Sequence, residues 1–284
     1  MSGEPAVLTV SGFTVDYAGD PVVHAVRDVS FTLHHGEVLG LAGESGCGKS
    51  TLAYGLVRLL KPPAVITGGS AVFHDRDGTG VDWQRLGPRR LRAVRWDQVA
   101  MVFQGAMNSL NPVISVRAQL EDVLTTHRPG MGRRARRERC AELLAMVGVD
   151  PGRLSAYPHE LSGGMRQRVM IAMAMALEPQ VLILDEPTTA LDVVVQRDIL
   201  REIMRLRAER GFAVVFITHD LPLLLEISDR IAVMRDGAIV ELADAVTLYR
   251  RPAHEYTRRL LGSFPSLTGP RGAFIRLPAQ EGTA

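Results

Sequence analysis

The chain has little of what would commit it to a disulfide framework, a metal centre or a membrane span. Its 284 residues hold two cysteines, Cys47 and Cys140, too few for a framework and without metal-ligand spacing, so neither structural zinc nor an iron–sulfur cluster is expected. No apolar run approaches the ~18–20 residues that cross a bilayer, the stretch 169–177 being among the longest. The opening Met-Ser-Gly-Glu-Pro lacks both a basic n-region and an apolar h-region, so no signal peptide is expected. A cytoplasmic chain is expected, unless a partner holds it at a membrane. Charge is nearly balanced, 33 Lys+Arg against 31 Asp+Glu, and the sum points to no polyanionic partner. With 46% hydrophobic and 23% charged residues, the composition is that of an ordinary globular protein of one large or two modest domains. Lysine is as scarce as cysteine. Lys49 and Lys61 are the only two, and every other basic residue is arginine.

One of those lysines lies in Gly43-Glu44-Ser45-Gly46-Cys47-Gly48-Lys49-Ser50-Thr51, which fits Gly-x-x-x-x-Gly-Lys-Ser/Thr. The apolar Val38-Leu39-Gly40-Leu41-Ala42 before it reads as a buried strand, and residues 52–60 after it have helical spacing. Glycines allow successive backbone N–H groups to converge on phosphate oxygens, with the positive end of the following helix behind them. Lysine brings a compact point charge that a planar guanidinium would not replace, and the Ser50 hydroxyl can ligate Mg²⁺. The strand–loop–helix context predicts a nucleoside triphosphate site.

No internal repeat is present. Residues 6–40 alternate apolar and polar and break at Ala18-Gly19-Asp20 and His35-Gly36, which predicts antiparallel strands; a further strand is expected at 69–73. An arginine-rich short helix at 88–96 precedes a strand at 99–103. From about 105 to 160 the pattern is helical: Val116, Leu120, Val123 and Leu124 share one face, as do Cys140, Leu143, Leu144 and Val147. From 181 onward strand and helix alternate, which implies a parallel sheet covered by helices. The densest charge cluster, Arg133, Arg134, Arg136, Arg137 and Arg139, reads as the solvated face of the helix carrying Cys140. No aromatics interleave with it, so nucleic-acid binding is not expected.

Two further stretches carry chemistry. In Val181-Leu182-Ile183-Leu184-Asp185-Glu186 two carboxylates follow four apolar residues, and such a strand is expected beside the one feeding the phosphate loop, with Asp185 on the metal and Glu186 polarising water. In Leu161-Ser162-Gly163-Gly164-Met165-Arg166-Gln167 a serine and two glycines open a helix expected to start near Met165; by itself this is an N-cap with a flexible approach.

With these motifs in this order, the chain resembles the ATP-binding subunit of an ATP-binding-cassette (ABC) transporter over roughly residues 6–262. Residues 43–51 are similar to the Walker A loop, 161–167 to the signature and 181–186 to the Walker B strand. Gln104 resembles the Q-loop glutamine, Thr189-Ala190-Leu191-Asp192 the D-loop, His219 the switch histidine and Tyr17 the aromatic stacked on adenine. The resemblance is closer to the oligopeptide/dipeptide/nickel import subfamily, through Met107-Asn108-Ser109-Leu110-Asn111-Pro112 after Phe103-Gln104, Tyr157-Pro158-His159-Glu160, and Arg251-Pro252-Ala253-His254-Glu255-Tyr256-Thr257. Glu255 departs from the proline usual there. No cysteine follows where some relatives bind a cluster.

The resemblance implies an α/β fold: a P-loop NTPase core with an antiparallel β subdomain and an inserted α-helical subdomain at about 105–165. It also implies one ATPase domain over 1–262, followed by a short Pro/Gly-rich tail at 263–284. ATP and Mg²⁺ are the implied cofactors. Gly43 to Thr51 and Tyr17 would bind the nucleotide, Ser50, Gln104 and Asp185 the metal, with Glu186, His219 and Gln104 catalytic. Ser162, Gly163 and Gly164 would complete the site of a second ATPase subunit, non-identical and head to tail. Two transmembrane permease subunits and an extracytoplasmic solute-binding protein complete the implied assembly, which would place the chain peripherally on the cytoplasmic face of the membrane. The alternative is a soluble cassette ATPase acting on DNA or another macromolecular complex; its usual long coiled coils or zinc inserts are missing from this sequence.

Overall fold

The computed structural model describes residues 5–105, 109–189 and 191–263. In chain order the strands are Ala6–Tyr17 (β1), Val23–His34 (β2), Val38–Ala42 (β3), Ala64–His74 (β4), Gly80–Asp82 (β5), Val99–Val102 (β6), Val181–Asp185 (β7), Ala213–Ile217 (β8), Arg230–Arg235 (β9) and Ala238–Asp244 (β10). The helices are Lys49–Leu56 (α1), Pro88–Val94 (α2), Val116–His127 (α3), Arg133–Met146 (α4), Gly163–Ala174 (α5), Val193–Arg210 (α6), Leu221–Ile227 (α7), Ala245–Arg250 (α8) and Glu255–Gly262 (α9).

Two sheets organise these elements. One is antiparallel, in the order β2-β1-β4-β5; the other runs β10-β9-β3-β8-β7-β6, parallel except for β10. The central strands β3, β7 and β8 are buried at every residue. Side chains alternate across a strand, so such a strand must feed two cores. Leu182 and Leu184 pack with Val214, Phe216 and the helices α3 to α6. Val181 and Ile183 pack with Val215, Ile217 and the antiparallel sheet. The larger sheet is thus a wall between the antiparallel sheet, with α1 and α2 packed on that side, and a helical layer, as the family resemblance implies.

In the helical layer the predicted faces are buried: Val116, Leu120, Val123 and Leu124 on α3, with Cys140, Leu143, Leu144 and Val147 on and after α4. Ser115 caps α3 by accepting a hydrogen bond from the Ala118 amide at 3.3 Å. Burial pushes the Cys140 thiol up to about 11, which makes it a core residue without thiolate chemistry. Arg133, Arg134 and Arg137 face solvent; Arg134 pairs with Glu138 at 2.8 Å and Arg139 with Glu178 at 2.9 Å.

Three expectations need correction. The strand carrying Asp185 is not beside the one feeding the phosphate loop: β8 lies between β3 and β7. The helix after the loop stops at Leu56, and Arg58 turns to a positive φ of 55° before residues 59–60. The helix of the Ser-Gly-Gly turn begins at Gly163, two residues before Met165.

Candidate functional site

The phosphate loop leaves β3 at Ala42 and enters α1 at Lys49. Two glycines make its path possible. At Gly43 (φ 147°) a Cβ would lie 2.3 Å from the Met234 carbonyl oxygen, and at Gly48 (φ 107°) 2.2 Å from that of Ala25. Any side chain would collide with backbone at either position. Gly48 also opens α1 with no side-chain cap, so the first-turn amides of Lys49, Ser50 and Thr51 have no capping partner within the helix and suit an anion. Ser45 and Gly46 form the exposed tip, while Cys47 is buried and its carbonyl accepts from the Gly237 amide at 3.1 Å.

Lys49 is 7% exposed, and its ammonium folds back over the loop, donating to the carbonyls of Gly43 at 2.7 Å and Glu44 at 2.8 Å. A buried cation beside a ring of amides is the charge balance a polyphosphate needs. The Glu44 amide turns away from that ring and donates to the Tyr256 hydroxyl at 3.2 Å. Tyr17, at the end of β1, places its hydroxyl 3.3 Å from Thr51 Oγ1, so its ring stands beside the start of α1.

Across β8, the end of β7 brings two carboxylates with different surroundings. Ser50 Oγ donates to Asp185 Oδ1 at 3.1 Å, which joins loop and strand. Asp185 is 1% exposed, and its Oδ2 is buried with no hydrogen-bond partner. Burial raises its pKa above the usual carboxylate range, against the lowering effect of the Ser50 hydrogen bond; the neighbouring Glu186 charge adds to the rise. Burial acts the same way on Glu186, yet its carboxyl is held below the usual range because hydrogen bonds from His219 and Thr189 and the nearby Lys49 charge outweigh it. The geometry explains why. His219 Nδ1 donates to Oε1 at 3.0 Å; Gln104 Nε2 and Thr189 Oγ1 donate to Oε2 at 2.9 Å and 3.1 Å. The Glu186 backbone is itself tied to β8 by its amide, 2.9 Å from the Ile217 carbonyl, at a positive φ of 46°.

Among the described residues no three His, Cys, Asp or Glu side chains converge as a self-sufficient metal site. A magnesium ion does not need one, since it keeps waters and phosphate oxygens and takes one or two protein oxygens. Asp185, with one oxygen on Ser50 and the other orphaned in the interior, fits that donor set.

Ser162 stands apart from this cluster, in the helical layer. It is exposed and caps α5, its hydroxyl accepting from the Met165 amide at 3.2 Å, with Gly163 and Gly164 forming the first turn. A Cβ on Gly164 would lie 2.6 Å from Val195 Cγ1, so the turn packs closely on α6. Met107, Asn108 and Ala190 lie outside the described residues, as does the tail beyond Ser263.

Sequence reasoning placed the loop, both carboxylates, Gln104 and His219, and the structure gathers them. It missed Thr189 as a direct partner of Glu186, for which the three-residue spacing was the only signal. It also missed Tyr256, which was read as part of a motif with no contact assigned.

The family model described as ABC transporter matches residues 26–189. A probable peptide ABC transporter ATP-binding protein of Sinorhizobium fredii is 45% identical over 269 residues, which cover 94% of this chain and 78% of that protein. The dipeptide transport ATP-binding protein DppD of Bacillus subtilis is 42% identical over 267 residues, covering 92% of this chain and 77% of the relative. A solved dimeric ATP-binding cassette, MJ0796 in a post-hydrolysis state bound to ADP and Pi, is similar with a TM-score of 0.72 and 28% identity over 84% of this chain and 98% of that one.

Proposed function

The chain belongs to the ABC transporter family, and from that premise we propose that it is an importer's ATP-binding subunit, hydrolysing ATP to drive peptides inward through a membrane permease. The observation that carries this reading is Glu186. Its carboxylate is gripped by His219, Gln104 and Thr189, one residue from an Asp185 bonded to the serine of the phosphate loop.

In the proposed cycle Lys49 and the amides of residues 45–51 bind the β- and γ-phosphates, the loop being already curved around them. Tyr17 offers its ring to the adenine. Ser50, Asp185 and Gln104 hold magnesium, which when bound neutralises charge building on the phosphates. Glu186, kept ionised by its three donors, orients the attacking water more than it removes its proton. His219, hydrogen-bonded to Glu186, steadies the γ-phosphate from the end of β8. Ser162, Gly163 and Gly164 serve the nucleotide of a second ATPase subunit, so two chains meet head to tail. The solved cassette with ADP and Pi is dimeric, which supports a pairing of two such chains.

Peptides are favoured over nickel or another solute by the printed names of the relatives from Sinorhizobium fredii and Bacillus subtilis. The proposed assembly adds a non-identical second ATPase, two permease subunits and an extracytoplasmic binding protein. Among the described residues no helix is long and apolar enough to cross a membrane, which suits a chain held peripherally at its cytoplasmic face by the permease. Residues 1–262 are proposed as one ATPase domain. The test is uptake of a labelled dipeptide and a labelled longer peptide by cells expressing this chain or its Glu186→Gln variant. Loss of uptake with the variant supports the reading; equal uptake overturns it.

A further inference from the structure

The segment before α9 is held by several hydrogen bonds although it borders solvent. Glu241 on β10 accepts from the amides of Ala253 at 2.8 Å and His254 at 3.0 Å. His254 caps α9, its Nδ1 accepting from the Tyr256 amide at 3.1 Å, and Arg258 donates to the carbonyls of Pro252 and Ala253 at 3.1 Å and 3.0 Å. Tyr256 is 6% exposed, with the Arg235 guanidinium 5.1 Å from its ring centroid. All this bracing aims one hydroxyl at one amide, that of Glu44 in the phosphate loop.

That amide shares a peptide group with the Gly43 carbonyl, which holds the Lys49 ammonium at 2.7 Å. One peptide plane is therefore clamped from both sides, by Tyr256 on its N–H and by Lys49 on its oxygen. A glycine flank leaves this peptide room to rotate when unclamped, and rotation would carry the lysine's acceptor away. We infer that Tyr256 is a positioning residue of the phosphate loop: its hydroxyl locks the Gly43–Glu44 peptide and with it the place of the Lys49 ammonium. The inference rests on the ATP-binding reading above. It assigns a role to the motif at residues 251–257 inside the nucleotide site of its own chain.

The experiment compares the full chain with Tyr256→Phe, which keeps the ring beneath Arg235 and removes only the hydroxyl. ATP binding by titration, steady-state hydrolysis, thermal melting and hydrogen exchange across residues 43–48 are measured together. For Tyr256→Phe we expect ATP affinity to fall about 3- to 10-fold, the range of one hydrogen bond. KM for ATP should rise in step and kcat stay within about twofold. Tm should match the parent's, and exchange at the Glu44 amide should accelerate. Glu255→Ala, on the same helix and paired with Arg259 at the surface, should behave as the parent. Parental affinity together with a fully protected Glu44 amide in Tyr256→Phe overturns the inference alone. A lowered Tm with kcat and KM disturbed alike also overturns it, because that is a packing role. Failure of the parent to bind ATP removes both this inference and the function it rests on.

Discussion

The phosphate loop and the Ser162 turn are both glycine-rich openings of helices, and they differ in how much of their surroundings one chain supplies. The loop is tied on every side: Lys49 to its carbonyls, Cys47 to Gly237, Glu44 to Tyr256, Ser50 to Asp185. The turn has its own cap and a close packing neighbour in Val195, yet Ser162 is exposed. A helix N-terminus becomes a binding site through the groups that converge in front of it, and of these two openings the loop is the one with such groups among the described residues. On the function proposed above, the difference separates a half-site finished at folding from one that needs a second molecule.

The comparison can be broken at several points. The largest effect is expected from Glu186→Gln, which keeps the shape and two acceptor contacts but removes the charge; kcat for ATP should drop roughly 10²–10⁴-fold while binding survives. Single-turnover hydrolysis checks this. Next comes Ser162→Arg. It should leave ATP binding by the isolated chain intact, abolish nucleotide-dependent pairing with the second ATPase subunit on a sizing column and lower hydrolysis by the pair by about 10², the scale of one lost transition-state contact. Pairing at the parental level would mean the turn faces no partner nucleotide. Gly48→Ala should strain the loop at its positive φ and destabilise the fold by about 1–3 kcal/mol, read by chemical denaturation, since the new Cβ meets the Ala25 carbonyl. Smallest is Arg134→Ala on the basic face of α4, where a solvated pair with Glu138 predicts an unchanged Tm and no change in hydrolysis.

What could be read from the sequence was local. The glycines, the lysine and the apolar strand before them lie within fourteen residues, and helix faces follow a period that needs no partner to be seen. The order of strands is not local. Patterning announced β7 and β8 as buried and parallel, but nothing in either says which lies next to β3, and the expectation placed the wrong one there. The β9–β10 hairpin was legible and passed over: Asp236 and Gly237 both take positive φ, 48° and 83°, the two-residue turn that Asp-Gly specifies. Tyr256 was out of reach, because its partner Glu44 is 212 residues away and the contact is made through backbone.

The intervening strand has a consequence of its own. β3, β8 and β7 end side by side, and the ladder spaces them about 4.8 Å apart, so the strand end that feeds the lysine loop and the one that carries the carboxylate pair stand two steps, roughly 10 Å, from each other, with Ser50 reaching across to Asp185. Thr218 and His219 occupy the middle step. The sheet works as a ruler whose divisions are backbone hydrogen bonds: the root of the lysine loop at one mark, the root of the imidazole at the next, the carboxylates at the third. Such marks cannot drift without breaking the ladder. Whatever moves when this molecule works must therefore be the helices and loops mounted along the ruler, while the gauge that measures out a phosphate stays still.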